Sequence, residues 1–292
     1  MNVLDQPQFE VIVAEHYGMC FGVKAAIEDA EKIASQKPVT ILGRLAHNPS
    51  VQGRMLDLGA KVSELDGEDA PTRDVLITAH GASDRDRARW RSAGHSVTDT
   101  TCPLVHKAHE ALRGLVAAGY APVVIGKQGH IEVRGLTGDF PEADVVLSEE
   151  QIDLMKGGEK IGIIAQTTQP IQRVEALVKR IAARFPGSEV QFIDTVCRPT
   201  KERQKAVIDL CRQVEVVIVV GGNHSNNTRE LTESCRKLGC VSFQVERPEA
   251  IKPEWFSGFR KVGVTAGTST PDEDVAKVVR YLRDLSRDSV PF

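Results

Sequence analysis

Three cysteines stand at junctions where a strand-like run turns into a helical pattern. The junctions are VIVAEHYGMC with Cys20, VTDTTCPLVHKAHEA with Cys102 and FIDTVCRPTKERQKA with Cys197. A cysteine directly before a helix has its thiolate stabilised by the helix dipole and by free backbone N–H groups. These side chains therefore have the local setting of a nucleophile or of metal ligands.

A nucleophilic reaction needs one thiolate, whereas three in equivalent positions suit metal binding. Soft sulfur ligands favour zinc or an iron–sulfur cluster. The chain has no CxxC pair of the kind typical of structural zinc, although ligands from distant segments leave zinc open. A cubane cluster held by three protein thiolates would keep one iron available for a substrate. The remaining cysteines, Cys211, Cys235 and Cys240, fall outside the junctions and are predicted to be buried.

The order of elements repeats three times along the chain. Each repeat has a strand ending in a cysteine, then a helix, then a strand with a polar loop that contains a histidine. The cysteine-to-histidine separations are 27 residues for Cys20 to His47, 28 for Cys102 to His130 and 27 for Cys197 to His224. Strands that alternate with helices in this way predict an α/β fold with mostly parallel sheets.

The repeats predict three similar αβ domains, and if these face each other around a pseudo-threefold axis, one cysteine from each lies at the centre. The expected divisions are a loose N-terminal tail over 1–8 and domains over 9–97, 98–191 and 192–292. Ligands of open parallel sheets bind beyond the carboxyl ends of the strands. Because all three cysteines follow strands, they are predicted to converge.

Polar side chains at further strand ends are suited to bind an anion. They are His47, His80 and His130, the NHSNN of 223–227 and the AGTSTPD of 266–272. Imidazoles, amides, hydroxyls and backbone N–H groups together favour a phosphate or a diphosphate. Glu132 is a carboxylate among these cationic and neutral donors, and it is predicted to be the proton donor.

The composition excludes several classes of partner. The 292 residues are 41% hydrophobic and 26% charged, with a formal net charge of −3, so no nucleic-acid partner is expected. The apolar runs are too short to span a bilayer, and the N-terminal residues MNVLDQPQFE do not have the pattern of a secretory signal. We therefore expect a cytoplasmic protein with no membrane partner.

Taken together, the motifs resemble the LytB/IspH family of 4-hydroxy-3-methylbut-2-enyl diphosphate reductases. The matching segments occur in the family's order over nearly the whole chain. They are GMCFGVKAAI (18–27), AHNPSV (46–51), AHG (79–81), DTTCPLVHKAH (99–109), GHIEVRG (129–135), QTT (166–168), SNN (225–227) and GVTAGTSTPD (263–272).

The resemblance implies a pseudo-threefold trefoil of three αβ domains around a central [4Fe–4S] cluster. Its three cysteine ligands would be Cys20, Cys102 and Cys197, with one open iron site. It also implies that Glu132, Thr167 and His130 are catalytic, with the Glu132 carboxyl delivering a proton. The residues implied to bind the substrate diphosphate are His47, His80, His130, Ser225, Asn226, Asn227 and Ser269.

The reaction implied by the resemblance is a reductive dehydroxylation. An allylic hydroxy diphosphate takes up two electrons and two protons, loses water, and gives isopentenyl and dimethylallyl diphosphate. This is the last step of the non-mevalonate isoprenoid pathway. The electrons would arrive one at a time from a ferredoxin or a flavodoxin.

Several residues depart from the usual pattern of the family. They are Met19, Ala25, Arg198, Pro199, His224 and Asn226. These changes bear on the substrate more than on the cluster, so a diverged paralogue that reduces another allylic or unsaturated compound is the alternative. A non-catalytic protein that binds a cluster or a phosphate, and a zinc-dependent hydrolase, are further readings.

Overall fold

The computed structural model describes residues 8–46 and 48–287, so the predicted tail lies outside the described residues except for Gln8. The strands within these ranges are β1 (Glu10–Val13), β2 (Val39–Leu42), β3 (Lys61–Ser63), β4 (Asp74–Ile77), β5 (Ser96–Asp99), β6 (Ala121–Ile125), β7 (Asp144–Val146), β8 (Lys160–Ala165), β9 (Glu189–Phe192), β10 (Val216–Val220), β11 (Val241–Val245) and β12 (Lys261–Ala266). The α-helices are α1 (Phe21–Ala34), α2 (Pro49–Asp57), α3 (Asp84–Ser92), α4 (Pro103–Ala117), α5 (Ile131–Thr137), α6 (Glu149–Asp153), α7 (Ile171–Arg184), α8 (Arg198–Cys211), α9 (Asn226–Lys237) and α10 (Asp272–Arg287). Two 3₁₀ helices, Pro248–Ala250 and Pro253–Phe256, precede β12.

The described strands form three four-stranded sheets. The first sheet has the order β1-β12-β10-β11, the second β5-β4-β2-β3 and the third β9-β8-β6-β7. Every pair of neighbouring strands is parallel. The prediction of an α/β fold with parallel sheets is confirmed.

The strands that precede the three cysteines occupy the same edge position in all three sheets. They are β1, β5 and β9, and each pairs with a strand that closes a repeat, namely β12, β4 and β8. The strand that opens each sequence repeat therefore joins the sheet of the preceding repeat, and β1 joins the sheet formed by the last part of the chain. The predicted domain limits at 97/98 and 191/192 fall inside β5 and β9, and they remain a prediction.

The sequences of the elements explain their places in the sheets. β10, with the sequence VVIVV, is buried at every position, as expected for a parallel strand covered on both faces. α7 buries Val174, Leu177 and Ile181, a spacing of three and four residues that forms one apolar stripe. Among the described helices, none combines the length and the apolar character that crossing a membrane requires.

The chain divides into two compact units. The first unit consists of the described parts of 1–21, 46–50 and 201–292, and it contains the first sheet. The second unit consists of 22–45 and 51–200, and it contains the second and third sheets.

Candidate functional site

The aspartate of each Asp-Thr-x-Cys segment closes a turn at the end of its strand. Asp99 Oδ1 accepts a hydrogen bond from the backbone N–H of Thr101 at 3.0 Å, and Asp194 Oδ1 accepts one from Val196 at 3.0 Å. A short acidic side chain that binds the backbone two residues ahead favours a turn over a continued strand. The aspartate therefore favours a turn at or just past the end of the strand, and this turn directs the chain toward the cysteine.

The threonine of the same segment ties the edge strand to its neighbour. Thr100 Oγ1 donates to the carbonyl of Ile77, the last residue of β4, at 2.7 Å. Thr195 Oγ1 donates to the carbonyl of Ala165, the last residue of β8, at 2.5 Å. Both bonds hold the cysteine loop against the carboxyl end of the adjacent strand.

The backbone N–H of each cysteine makes the same hydrogen bond in all three sheets. It donates to a carbonyl two residues beyond the end of the adjacent strand. The pairs are Cys20 with Thr268 at 3.2 Å, Cys102 with Ala79 at 3.1 Å and Cys197 with Thr167 at 2.9 Å. The equivalence of the three cysteines, predicted from the spacing of the repeats, is therefore also an equivalence of local structure.

Cys102 lies directly before α4 and packs against the first turn of α1. Pro103 opens α4, at a position where the missing N–H of proline costs the helix nothing. A Cβ added to Gly22 would lie closer than 3.0 Å to Cys102 Sγ, so only glycine leaves room for the thiol here. Gly22 was not identified from the sequence, because the close approach joins segments eighty residues apart.

Cys197 lies directly before α8 and has a hydroxyl beside its thiol. Cys197 Sγ is 3.1 Å from Thr200 Oγ1, and Thr200 is buried. A hydroxyl that donates to sulfur stabilises the thiolate form. Thr200 was not identified from the sequence, although it is the third residue of α8 and so lies in the turn that follows Cys197.

The other three cysteines belong to the core of the first unit. Cys235 and Cys240 are buried, as predicted, whereas Cys211 is partly exposed at the margin of the same apolar cluster. Cys240 Sγ lies 3.4 Å from the carbonyl of Val214. Burial and the neighbouring Cys211 thiol raise the pKa of Cys240 to about 12, so this sulfur stays protonated.

Glu132 is a buried carboxyl in the first turn of α5, with a relative exposure of 1%. Burial raises its pKa from 4.5 to about 7, against the opposing effect of hydrogen bonds from the backbone and side chain of Thr167. The Thr167 N–H donates to Glu132 Oε1 at 2.6 Å. A carboxyl with this pKa can both hold and release a proton near neutral pH.

Two histidines lie near this carboxyl. His130 precedes α5, and its Nδ1 accepts a hydrogen bond from the N–H of Glu132 at 3.2 Å. In the neutral ring the proton is then on Nε2, which can donate to an anion. The rings of His80 and His130 meet edge to face with their centroids 5.9 Å apart. The second unit thus brings together Glu132, Thr167, His80 and His130.

In the first unit, three of the predicted diphosphate-binding residues lie around the start of α9 and the loop after β12. Ser225 caps α9, with its Oγ accepting from the N–H of Thr228 at 3.3 Å. Asn227 Oδ1 accepts from the N–H of Thr268 at 2.9 Å. The adjacent Ser269 has a buried hydroxyl with no hydrogen-bond partner among the described residues. A buried hydroxyl of this kind is suited to a ligand.

Two predicted binding residues cannot be compared with the structure. His47 lies outside the described residues, and the side chain of Asn226 is likewise not described. Within 8–46 and 48–287, no group of three or more His, Cys, Asp or Glu side chains is arranged to hold a metal ion. Cys20, Cys102 and Cys197 as one ligand set therefore stay a prediction.

The fold and the site define an α/β protein with an equivalent cysteine after the edge strand of each of three parallel sheets, and with a buried carboxyl whose pKa is about 7. A family model described as "LytB protein" matches residues 11–283. The chain belongs to the LytB family, and it is an oxidoreductase. Membership of this family implies an iron–sulfur cofactor.

Curated relatives match over nearly their full length. A 4-hydroxy-3-methylbut-2-enyl diphosphate reductase of Aquifex aeolicus is 37% identical over 283 residues, which cover 94% of this chain and 96% of that protein. The protein of the same name from Geobacter metallireducens is 36% identical, with 94% of this chain and 98% of that protein covered.

Solved structures share the fold. The E-1-hydroxy-2-methyl-but-2-enyl-4-diphosphate reductase of Plasmodium falciparum matches with a TM-score of 0.88 at 26% identity, covering 94% of this chain and 88% of that one. A second structure is described as an (E)-4-hydroxy-3-methyl-but-2-enyl diphosphate reductase, the terminal enzyme of the non-mevalonate pathway. It matches with a TM-score of 0.68 at 36% identity, covering 95% of this chain and 100% of that one.

Replacing Gly22 with alanine should destabilise the protein, because the new Cβ overlaps Cys102 Sγ. Overpacking of this kind costs about 1–3 kcal/mol. Gly53 in α2 is the matched control, since an added Cβ there meets nothing within 4 Å. Gly53→Ala should be neutral or stabilising by up to about 1 kcal/mol, because alanine favours helix. Urea unfolding midpoints compare the two variants, and equal midpoints would contradict the close contact at Gly22.

The raised pKa of Glu132 predicts a stability that falls as the pH rises. Between the unfolded value of 4.5 and the folded value of about 7, the unfolded chain has lost a proton that the folded chain keeps. The free energy of unfolding should therefore drop across this range by about 3 kcal/mol on account of this group. Glu132→Gln cannot titrate, so urea midpoints at pH 5 and pH 8 should differ less in this variant than in the wild type. An unchanged pH dependence would show that Glu132 is ionised in the folded state.

Proposed function

We propose that the chain reduces 4-hydroxy-3-methylbut-2-enyl diphosphate to isopentenyl and dimethylallyl diphosphate. The observation that carries the proposal is the hydrogen-bonded series of Glu132, Thr167 and Cys197. The Thr167 N–H donates to the Glu132 carboxyl, and the Thr167 carbonyl accepts from the N–H of Cys197. Thr167 thus connects, through hydrogen bonds, a carboxyl that can hold and release a proton with a predicted cluster ligand.

The cofactor is proposed to be a [4Fe–4S] cluster held by Cys20, Cys102 and Cys197, with one iron open. The donor set supports it, since the three partly exposed thiols occupy equivalent positions before helices. Gly22 supports it too, because the absence of a side chain there makes room for the thiol of Cys102. When bound, such a cluster supplies one-electron reduction and a coordination position for a substrate hydroxyl.

The diphosphate is proposed to bind to neutral and cationic donors. Ser269, with its buried unpartnered hydroxyl, and Ser225 at the start of α9 support this in the first unit. His80 and His130 support it in the second, and His47, Asn226 and Asn227 complete the proposed set. Imidazole N–H groups and hydroxyls can bind a polyanion without bringing a competing carboxylate.

Glu132 is proposed to donate the proton that completes the product. At neutral pH a large fraction of this carboxyl is protonated, because its pKa is about 7. Thr167 orients it through the bond to Oε1, and His130 caps the helix turn that carries it. Burial of the carboxyl also keeps bulk water from exchanging its proton freely.

Electrons are proposed to arrive singly from a ferredoxin or a flavodoxin, since the reaction consumes two and each of these carriers delivers one. The overall balance is one allylic C–O bond broken, one C–H bond formed, two electrons and two protons consumed, and one water released.

Three of the departures from the family pattern lie at places in the structure that are compatible with this function. Arg198 and Pro199 form the first two residues of α8, where proline is tolerated because the first turn lacks intrahelical N–H partners. Ala25 lies on an exposed face of α1.

The proposed proton donor can be tested by anaerobic turnover of the allylic hydroxy diphosphate with a chemical reductant. Glu132→Gln keeps an acceptor for the Thr167 N–H but cannot donate an acidic proton. We expect kcat to fall by at least about 100-fold, as for loss of a general acid, with iron content and substrate affinity retained. Exposed Glu142 provides the control, and Glu142→Gln should turn over at the wild-type rate. Unchanged kcat in Glu132→Gln would remove this carboxyl from the reaction, and a wild-type protein with a cluster but no turnover would favour the diverged paralogue.

The ligand set can be tested by iron analysis of protein purified without oxygen. Cys20→Ala, Cys102→Ala and Cys197→Ala should each lose iron, whereas Cys235→Ala, in the apolar core, should keep it. Acid-labile sulfide measured in the same samples separates an iron–sulfur cluster from a zinc site. Full iron in any one of the first three variants would show that its cysteine is not a ligand.

A further inference from the structure

The loop that precedes Cys20 lacks the Asp-Thr pair that holds the other two cysteine loops. Gly18 occupies the position of Thr100, since the N–H of each donates to the last carbonyl of the adjacent strand, at Ala266 and Ile77 respectively. Gly18 has a φ of +69°, which disfavours any residue with a side chain. The loop therefore has neither the threonine hydroxyl nor the aspartate turn as a local anchor.

A buried arginine contacts this loop from α8. Arg203 Nε donates to the carbonyl of Gly18 at 3.0 Å, and its NH2 group lies 3.5 Å from the carbonyl of Tyr17. Arg203 is only 8% exposed. These two carbonyls immediately precede the two residues, Met19 and Cys20, that lead into α1.

Burying the Arg203 side chain in this contact costs free energy. A buried guanidinium loses much of its hydration and most of its side-chain freedom. A charged donor to a carbonyl gives a stronger hydrogen bond than a neutral one, and the planar fork of arginine can serve two carbonyls at once. The second sheet offers a parallel, where buried Arg87 donates from Nε to Asp99 in the Cys102 loop at 2.7 Å.

We infer that Arg203 is a positioning residue for Cys20. From its place on α8, it holds the one cysteine loop that lacks an Asp-Thr anchor of its own. The inference rests on the proposed function for its link to the cluster. The contact itself is independent of any cofactor. Without Arg203, the Cys20 loop would be held within the described residues by its backbone bonds to Ala266 and Thr268, and Cys20 would sample positions unsuited to a ligand.

The test compares thiol labelling at individual cysteines in the full chain purified without oxygen. N-ethylmaleimide is added in the presence of an iron chelator, and peptide mass spectrometry follows Cys20, Cys102 and Cys197 in the same sample. Arg203→Lys keeps the charge but loses the fork, and Arg203→Met loses both. In each variant, Cys20 should be labelled about tenfold faster than in the wild type, while Cys102 and Cys197 keep their wild-type rates.

Two further readouts separate positioning from general stability. Iron should be lost to the chelator about 10–100-fold faster from both variants, as for other residues that orient metal ligands. The electron paramagnetic resonance spectrum of the reduced cluster should also change. Arg212, which is exposed and paired with Asp209, is the control, and Arg212→Met should behave as the wild type in all three measurements.

The outcomes are distinct. Equal acceleration at all three cysteines would mean that Arg203 stabilises the whole fold, which would overturn the inference, as would an unchanged rate at Cys20. If Arg203→Met does not fold, Arg203→Lys still decides between these outcomes, because it keeps the buried charge. A wild-type protein without iron would refute the proposed function, while selective labelling of Cys20 in the variants would still support the contact.

Discussion

The hydrogen bond from each cysteine N–H to a carbonyl beyond the neighbouring strand is the constraint on which the site depends. Parallel strands end at a common edge, so a residue just past one strand lies beside a residue just past the next. A cysteine cannot slide along this edge without breaking the register of its sheet. Three sheets with one topology therefore hold three thiols in the same local geometry.

Two of the residues that accept these bonds also bind the side chain of a predicted site residue through their own N–H groups. Thr167 accepts from Cys197 through its carbonyl and donates to Glu132 through its N–H. Thr268 accepts from Cys20 through its carbonyl and donates to Asn227 through its N–H. The same place in two sheets thus couples a cysteine to a carboxyl in one case and to an amide in the other. One repeated backbone arrangement therefore holds a buried carboxyl in one sheet and an amide side chain in another.

Local patterns in the sequence were sufficient for much of this account. The alternation of strands and helices predicts the α/β fold, and the recurrence of Asp-Thr-x-Cys predicts equivalent cysteines. The N–H of Thr101 donates to the Asp99 carboxylate only two residues away, so this turn can be predicted from local sequence alone. The shift of each opening strand into the preceding sheet was not predicted, because sequence periodicity orders the strands along the chain but does not pair them.

The sequence by itself determined which residues are candidates for the chemistry, since residue type and spacing within short segments can be read from it directly. The tertiary structure decided their properties. The pKa of Glu132 reaches about 7 because the fold excludes water from its carboxyl, and no neighbour in sequence produces that desolvation. Gly22 against Cys102 and Arg203 against the Cys20 loop are likewise products of folding, because each contact joins segments far apart in the chain.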